Sequence, residues 1–173
     1  MILQNRYFIR FALIMAFASL APAAVSAQQN SIKLLTGAEL TRVVPPGFYF
    51  EGQSAPTQMR NASAARLGEK RYVIAGLVDT SGYSSEIRAK YEGFLITDSR
   101  IEIGGRELAT GAYGFGFSDD GKLNIFDIGG NRILSVAAQN DKNLRRPRPL
   151  MLISAADGLR LYSGRDYAVI SVK

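Results

Sequence analysis

The chain contains no cysteine, no histidine and no tryptophan. Without cysteine there are no disulfides, so stability has to come from packing and backbone hydrogen bonds. The joint absence of cysteine and histidine excludes zinc sites of the Cys/His type. Missing histidine also removes the usual general base near neutral pH, and with it any Ser-His triad. Long apolar runs are lacking too. The longest, residues 11–20, is well short of the ~20 residues a bilayer span needs, and Pro22 follows it.

That short run reads instead as the centre of an export signal. Arg6 and Arg10 give it a positive head, and Val25-Ser26-Ala27 presents small side chains at the positions a signal peptidase inspects. Cleavage after Ala27 takes 27 of the 173 residues and leaves 146, the size of one domain. The expected organisation is a signal peptide over residues 1–27 and a single β domain over 28–173, in the periplasm or outside the cell and not integral to the membrane. With no cysteine at the cleavage point, a lipid anchor is excluded.

Charge of one sign is not in large excess. The whole chain has 21 Lys and Arg against 15 Asp and Glu, a net charge of +6. Removing Arg6 and Arg10 lowers this to +4, a mildly basic balance that favours solubility and gives no nucleic-acid signature.

What is present is β pattern almost throughout. Glycine, at 17 residues, punctuates short runs rich in Val, Ile, Leu, Phe and Tyr. Strands are expected at residues 32–35, 48–50, 71–79, 94–97, 100–103, 111–117, 123–128, 133–137, 150–155 and 167–172, with residues 58–60 continuing the pairing, 106–108 turning back from 100–103 and 159–161 leading into the last strand. Residues 61–69 are polar and carry no secondary-structure signal. One short helix is expected near 84–91, capped by Ser84, with Ile87 and Tyr91 four apart on one face. In 111–117, Tyr113, Phe115 and Phe117 alternate with Gly114 and Gly116, whose bare face lets another layer approach closely. Nine to eleven such strands predict an all-β fold, an antiparallel β-barrel or a two-sheet sandwich. The barrel is favoured because closure leaves no free edges. Pro45-Pro46-Gly47-Phe48-Tyr49-Phe50 and Ala109-Thr110-Gly111-Ala112-Tyr113-Gly114-Phe115 echo one another, each a turn glycine feeding a strand whose aromatic residue points inward, a pattern read as convergence on a common turn rather than duplication.

Leu77-Val78-Asp79-Thr80-Ser81-Gly82-Tyr83, the Gly111 to Phe117 alternation and Leu161-Tyr162-Ser163-Gly164-Arg165 resemble segments of small exported bacterial β-rich proteins of unassigned activity. The resemblance implies a β-rich exported domain and carries over no catalytic residue.

Two segments are candidate contact sites. Asp79, Thr80, Ser81, Tyr83 and Ser84 form a hydroxyl-rich loop after the most apolar strand, suited either to hydrogen-bonding a ligand or to ordinary turn bonding. Lys142, Arg145, Arg146 and Arg148, stiffened by Pro147 and Pro149, form the strongest charge cluster and are suited to anionic phospholipid, lipopolysaccharide or another polyanion. The serines have no catalytic partner beyond a distant Lys90. Asp119, Asp120 and Asp127 lack the ligand alternation of a calcium loop. Glu92 and Glu102 are the sort of carboxylates a glycosidase pairs, but sequence gives no separation between them. The aromatic residues Tyr49, Tyr72, Phe94, Tyr113, Phe115, Phe117 and Phe126 are expected to fill the core, or in a wider barrel to line an apolar cavity. The expectation is a non-enzymatic domain with no cofactor or metal that binds a small apolar ligand or an anionic envelope component. An envelope structural or protein-interaction module comes second and a carboxylate hydrolase third.

Overall fold

The computed structural model describes residues 32–172. The leader, its cleavage point at Ala27 and the C-terminal Lys173 lie outside the described residues.

The strands are β1 (Ile32–Leu34), β2 (Gly47–Phe50), β3 (Gln53–Leu67), β4 (Arg71–Val78), β5 (Gly93–Thr97), β6 (Ile101–Ile103), β7 (Arg106–Leu108), β8 (Gly111–Ser118), β9 (Lys122–Phe126), β10 (Arg132–Ala137), β11 (Gln139–Asn140), β12 (Arg148–Ala155), β13 (Gly158–Gly164) and β14 (Asp166–Val172). Two short helices join them, α1 (Gly37–Val43) and α2 (Ser85–Lys90). One sheet runs β1-β3-β4-β5-β8-β9-β10, with β2 paired to the start of β3; the other runs β12-β13-β14-β6-β7, with β11 on β14. The chain visits the second sheet twice, first as the β6–β7 hairpin and then from β11 onward. Every ladder is antiparallel.

The two sheets form a sandwich, and the closed barrel expected from edge avoidance is not formed. The physical reason is a third layer. The run through β4 is apolar on both faces, so it needs cover on both. Val73 and Ala75 join Leu95, Phe115, Leu161 and Ile170 between the sheets. Ile74 and Val78 point the other way, into a second cluster built by Phe48, Phe50, Val44, Ile87 and Tyr91 from β2 and the helix-bearing segments. The first sheet is thus a middle layer, and its outer cover uses chain that a barrel would need for closure.

The glycines of β8 set the spacing of that outer layer. A Cβ on Gly114 would lie 2.5 Å from the Phe50 ring, and one on Gly116 would overlap the Lys90 carbonyl oxygen. Phe50 in turn stacks on Tyr91 with centroids 4.0 Å apart. The close approach read from the glycine face is therefore made by the cover rather than by the other sheet.

Other departures have local causes. The signal-free stretch 61–69 lies largely within β3, whose small residues Ala62, Ala64 and Ala65 pair with Gly76, Ile74 and Val73 across a register shift after Thr57. The additional helix α1 is only seven residues long, with no fully buried residue and no side-chain cap; its short apolar face, Leu40 and Val43, packs against the second cluster. The expected echo also fails in one respect: Tyr113 is buried, whereas Tyr49 is 54% exposed on the outside of β2. The remaining six aromatics named above pack in or against the two clusters, and both clusters are filled by side chains.

Candidate functional site: a cleft at one end of the sandwich

Where β4 and β13 end and β5 and β12 begin, the sheets leave a cleft of about 310 Å³. Gln58, Thr80, Arg88, Glu92, Pro149 and Ser163 contribute to its lining. Two of them, Gln58 and Pro149, are placed by irregularities in otherwise regular pairing. Gln58 sits in the β3 register shift and is held by its Nε2, which donates to the Val78 carbonyl at 2.9 Å. Pro149 sits in a second shift, between Arg148 and Met151 of β12. Ser163 closes the inward row of β13 after Leu159 and Leu161.

The cleft brings together the two segments singled out from sequence, through Thr80 of one and Pro149 of the other. Their other members divide. Asp79 accepts the Ser81 N–H at 3.0 Å in a local turn, and those hydrogen bonds hold its carboxyl below the usual range. Ser84 Oγ accepts the Ile87 N–H at 3.3 Å and caps α2, as its position before an apolar 3.6-period pair predicts. Tyr83 is buried in the outer cluster, its ring 5.8 Å from that of Tyr91. In this loop, turn and cap bonding occupy Asp79, Ser81 and Ser84, and Thr80 alone reaches the cleft lining.

The basic segment is anchored from below. The Arg165 guanidinium donates to the carbonyls of Asp141, Lys142 and Leu144 at 3.3, 3.0 and 2.7 Å. Asp141 in turn accepts from the Tyr162 hydroxyl at 3.1 Å, and Tyr162 stacks on Tyr167. This ties the turn to the outer face of the second sheet and leaves Arg145, Arg146 and Arg148 exposed. Among the described residues no ion pair engages these three arginines.

Glu92 and Arg88 are the charged groups of the cleft lining that sequence gave no reason to join to Thr80. Burial pushes the Glu92 carboxyl up, opposed by the Phe117 N–H, which it accepts at 3.4 Å. Glu102 lies on β6 between the inward-facing Ile101 and Ile103, on the outer face of the second sheet, so it does not share the cleft with Glu92. Lys90 is ion-paired with Glu51. Asp120 is bonded to Lys122 and Ser118, and Asp127 closes its hairpin by accepting from Asn131. Arg88 follows the capping Ser84 by four residues, beside the core-facing pair Ile87 and Tyr91 and four residues before Glu92; those positions are legible, whereas its meeting with Ser163 depends on tertiary pairing.

Comparison of the chain with protein-family models, with curated proteins and with solved structures finds no match. Among the described residues, no helix is long and apolar enough to cross a membrane.

Proposed function

We propose that this protein is an exported, non-enzymatic β-sandwich that binds an anionic component of the cell envelope at its cleft end. The observation that carries the reading is the meeting of Thr80 and Arg88 with Pro149, at the end of the basic segment, in one cleft; the segment leading to it carries three exposed arginines that have no acidic partner among the described residues. Guanidinium groups favour phosphate and carboxylate because their planar fork donates paired hydrogen bonds. The Arg165 anchor reduces the ordering cost of presenting them. The leader over residues 1–27 supplies the location, and the cleft's single carboxylate, in a chain without histidine, argues against acid–base catalysis there.

Flotation with vesicles containing anionic phospholipid tests this. The double variant Arg145→Glu/Arg146→Glu should lose retention at low salt, by about 1 kcal/mol or more per reversed charge, and the wild-type protein should lose it as salt is raised. Equal retention of variant and wild type would remove the reading.

A second reading, an envelope assembly module, is favoured by Ile128 and Ile133, 50% and 44% exposed beside the sheet edge at β10. Ile133→Lys would then abolish capture of the partner chain while leaving vesicle flotation unchanged.

A further inference from the structure

The outer cover of the first sheet reaches only the Phe126 end of β9, and the sequence changes where it stops. Gly114 and Phe126 are directly opposite one another and lie beneath Phe50. One row further along, Gly116, Asn124 and Ser135 are aligned across β8, β9 and β10, so positions equivalent to core become amide and hydroxyl. Two adjoining cavities lie over this polar floor, of about 330 and 570 Å³, and they share Ser118, Asn124 and Arg132 in their linings. Ala89 and Lys90, at the end of α2, and Phe126 belong to the wall of the first.

Most charges of the groove are neutralised by a neighbour. Lys90 pairs with Glu51, and Lys122 pairs with Asp120. Arg132 is different: it is exposed, and among the described residues no ion pair or side-chain hydrogen bond engages it. The Asn124 amide donates to Ser118 Oγ at 3.0 Å, which orients its carbonyl oxygen as a free acceptor. Ser135 adds a hydroxyl one strand away, at the ~4.8 Å spacing of neighbouring strands.

We propose that this groove binds a short acidic saccharide, its ring hydroxyls on Asn124 and Ser135 and its carboxylate on Arg132. Alternating donors and acceptors on a rigid sheet suit a ligand that is itself dense in hydroxyls, and the apolar edge at Phe126 and Ala89 suits the C–H face of a sugar ring. A lone guanidinium suits one acid group per ring rather than a lipid surface. The site is separate from the cleft and does not depend on the reading given there.

The test is an amide chemical-shift titration of the folded protein with tetragalacturonate and, in parallel, with its methyl ester, which keeps the sugar and removes the charge. Tetragalacturonate should shift the amides of Asn124 and Ser135. Arg132→Gln and the methyl ester should each weaken binding about tenfold or more, the ordinary loss for a hydrogen bond to a charged group. Arg145→Glu/Arg146→Glu should leave the affinity unchanged. Ester binding as tight as acid, full affinity in Arg132→Gln, loss of affinity only in the Arg145/Arg146 variant, or unmoved Asn124 and Ser135 amides at millimolar ligand would each overturn the proposal.

Discussion

Ser63 Oγ accepts a hydrogen bond from the backbone N–H of Leu152 at 3.1 Å, across 89 positions of sequence. Ser63 belongs to β3 and Leu152 to β12, so the bond joins the two sheets at the corner where a barrel would have closed. No ladder runs between these two strands: β3 pairs with β4 at Ser63 and with β1 from Ala65 onward, and β12 pairs with β13. One hydroxyl does in part what a strand pair would do. Ser63→Ala leaves the Leu152 N–H without an acceptor in a partly buried seam. The expected cost is about 1–2 kcal/mol, seen as a lower urea midpoint with an unchanged slope and as faster hydrogen exchange at Leu152. Ser63→Thr, which keeps the hydroxyl, should lose less.

The glycines of β8 offer a sharper test of the three-layer arrangement. Gly114→Ala drives a methyl group into the Phe50 ring, with Tyr91 at 3.1 Å behind it. Overpacking of this kind costs roughly 1–3 kcal/mol. Gly82→Ala is the control: a Cβ there meets nothing within 4 Å, so its thermal midpoint should match that of the wild type. Equal stability of the two variants would mean that β2 and α2 do not lie on that face.

These two cases mark how far the fold could be read from the sequence. Alternation made β8, β9 and β14 legible, because one face of each lies between the two sheets, and the cap and apolar pair made α2 legible. The outer cover was legible only in part: a strand at 48–50 and a helix at 84–91 were expected, whereas α1, seven residues without a side-chain cap, was not. The choice between barrel and sandwich turned on where those short elements dock. For the cleft, the hydroxyl loop and the basic segment were visible as compositions. That Thr80 and Pro149 meet follows from the pairing of β4 with β5 and of β12 with β13, separated by long stretches of chain that no local pattern relates.

Tyr83 and Tyr91 present buried hydroxyls with no hydrogen-bond partner among the described residues. Burial pushes both phenols up, and for Tyr91 the nearby Tyr83 adds to the effect. An unmade bond of this type destabilises, so removing the oxygen is favourable while the ring stays in its stack on Phe50. Tyr91→Phe is therefore expected to be neutral or to stabilise by up to about 1 kcal/mol, measured by urea denaturation. A loss of more than that would show that the hydroxyl is satisfied in solution.

Glu92 gives the protein a pH dependence whose sign follows from its surroundings. Burial raises its folded-state pKa above the unfolded value, so between the two values the folded chain binds more protons than the unfolded chain. Stability then falls as pH rises from the unfolded carboxylate range through the raised folded value, and the full penalty is present above that value. Arg88 shares the cleft lining, yet burial outweighs any opposing interaction at the carboxyl. Glu92→Gln removes the charge and keeps an oxygen able to accept the Phe117 N–H. The variant should be more stable than wild type at neutral pH, and the difference should shrink as the solution is acidified into the carboxylate range. Denaturation curves across that range decide the matter: a Glu92→Gln variant that is less stable at neutral pH would mean that an attractive partner, with Arg88 the foremost candidate, outweighs the cost of burial.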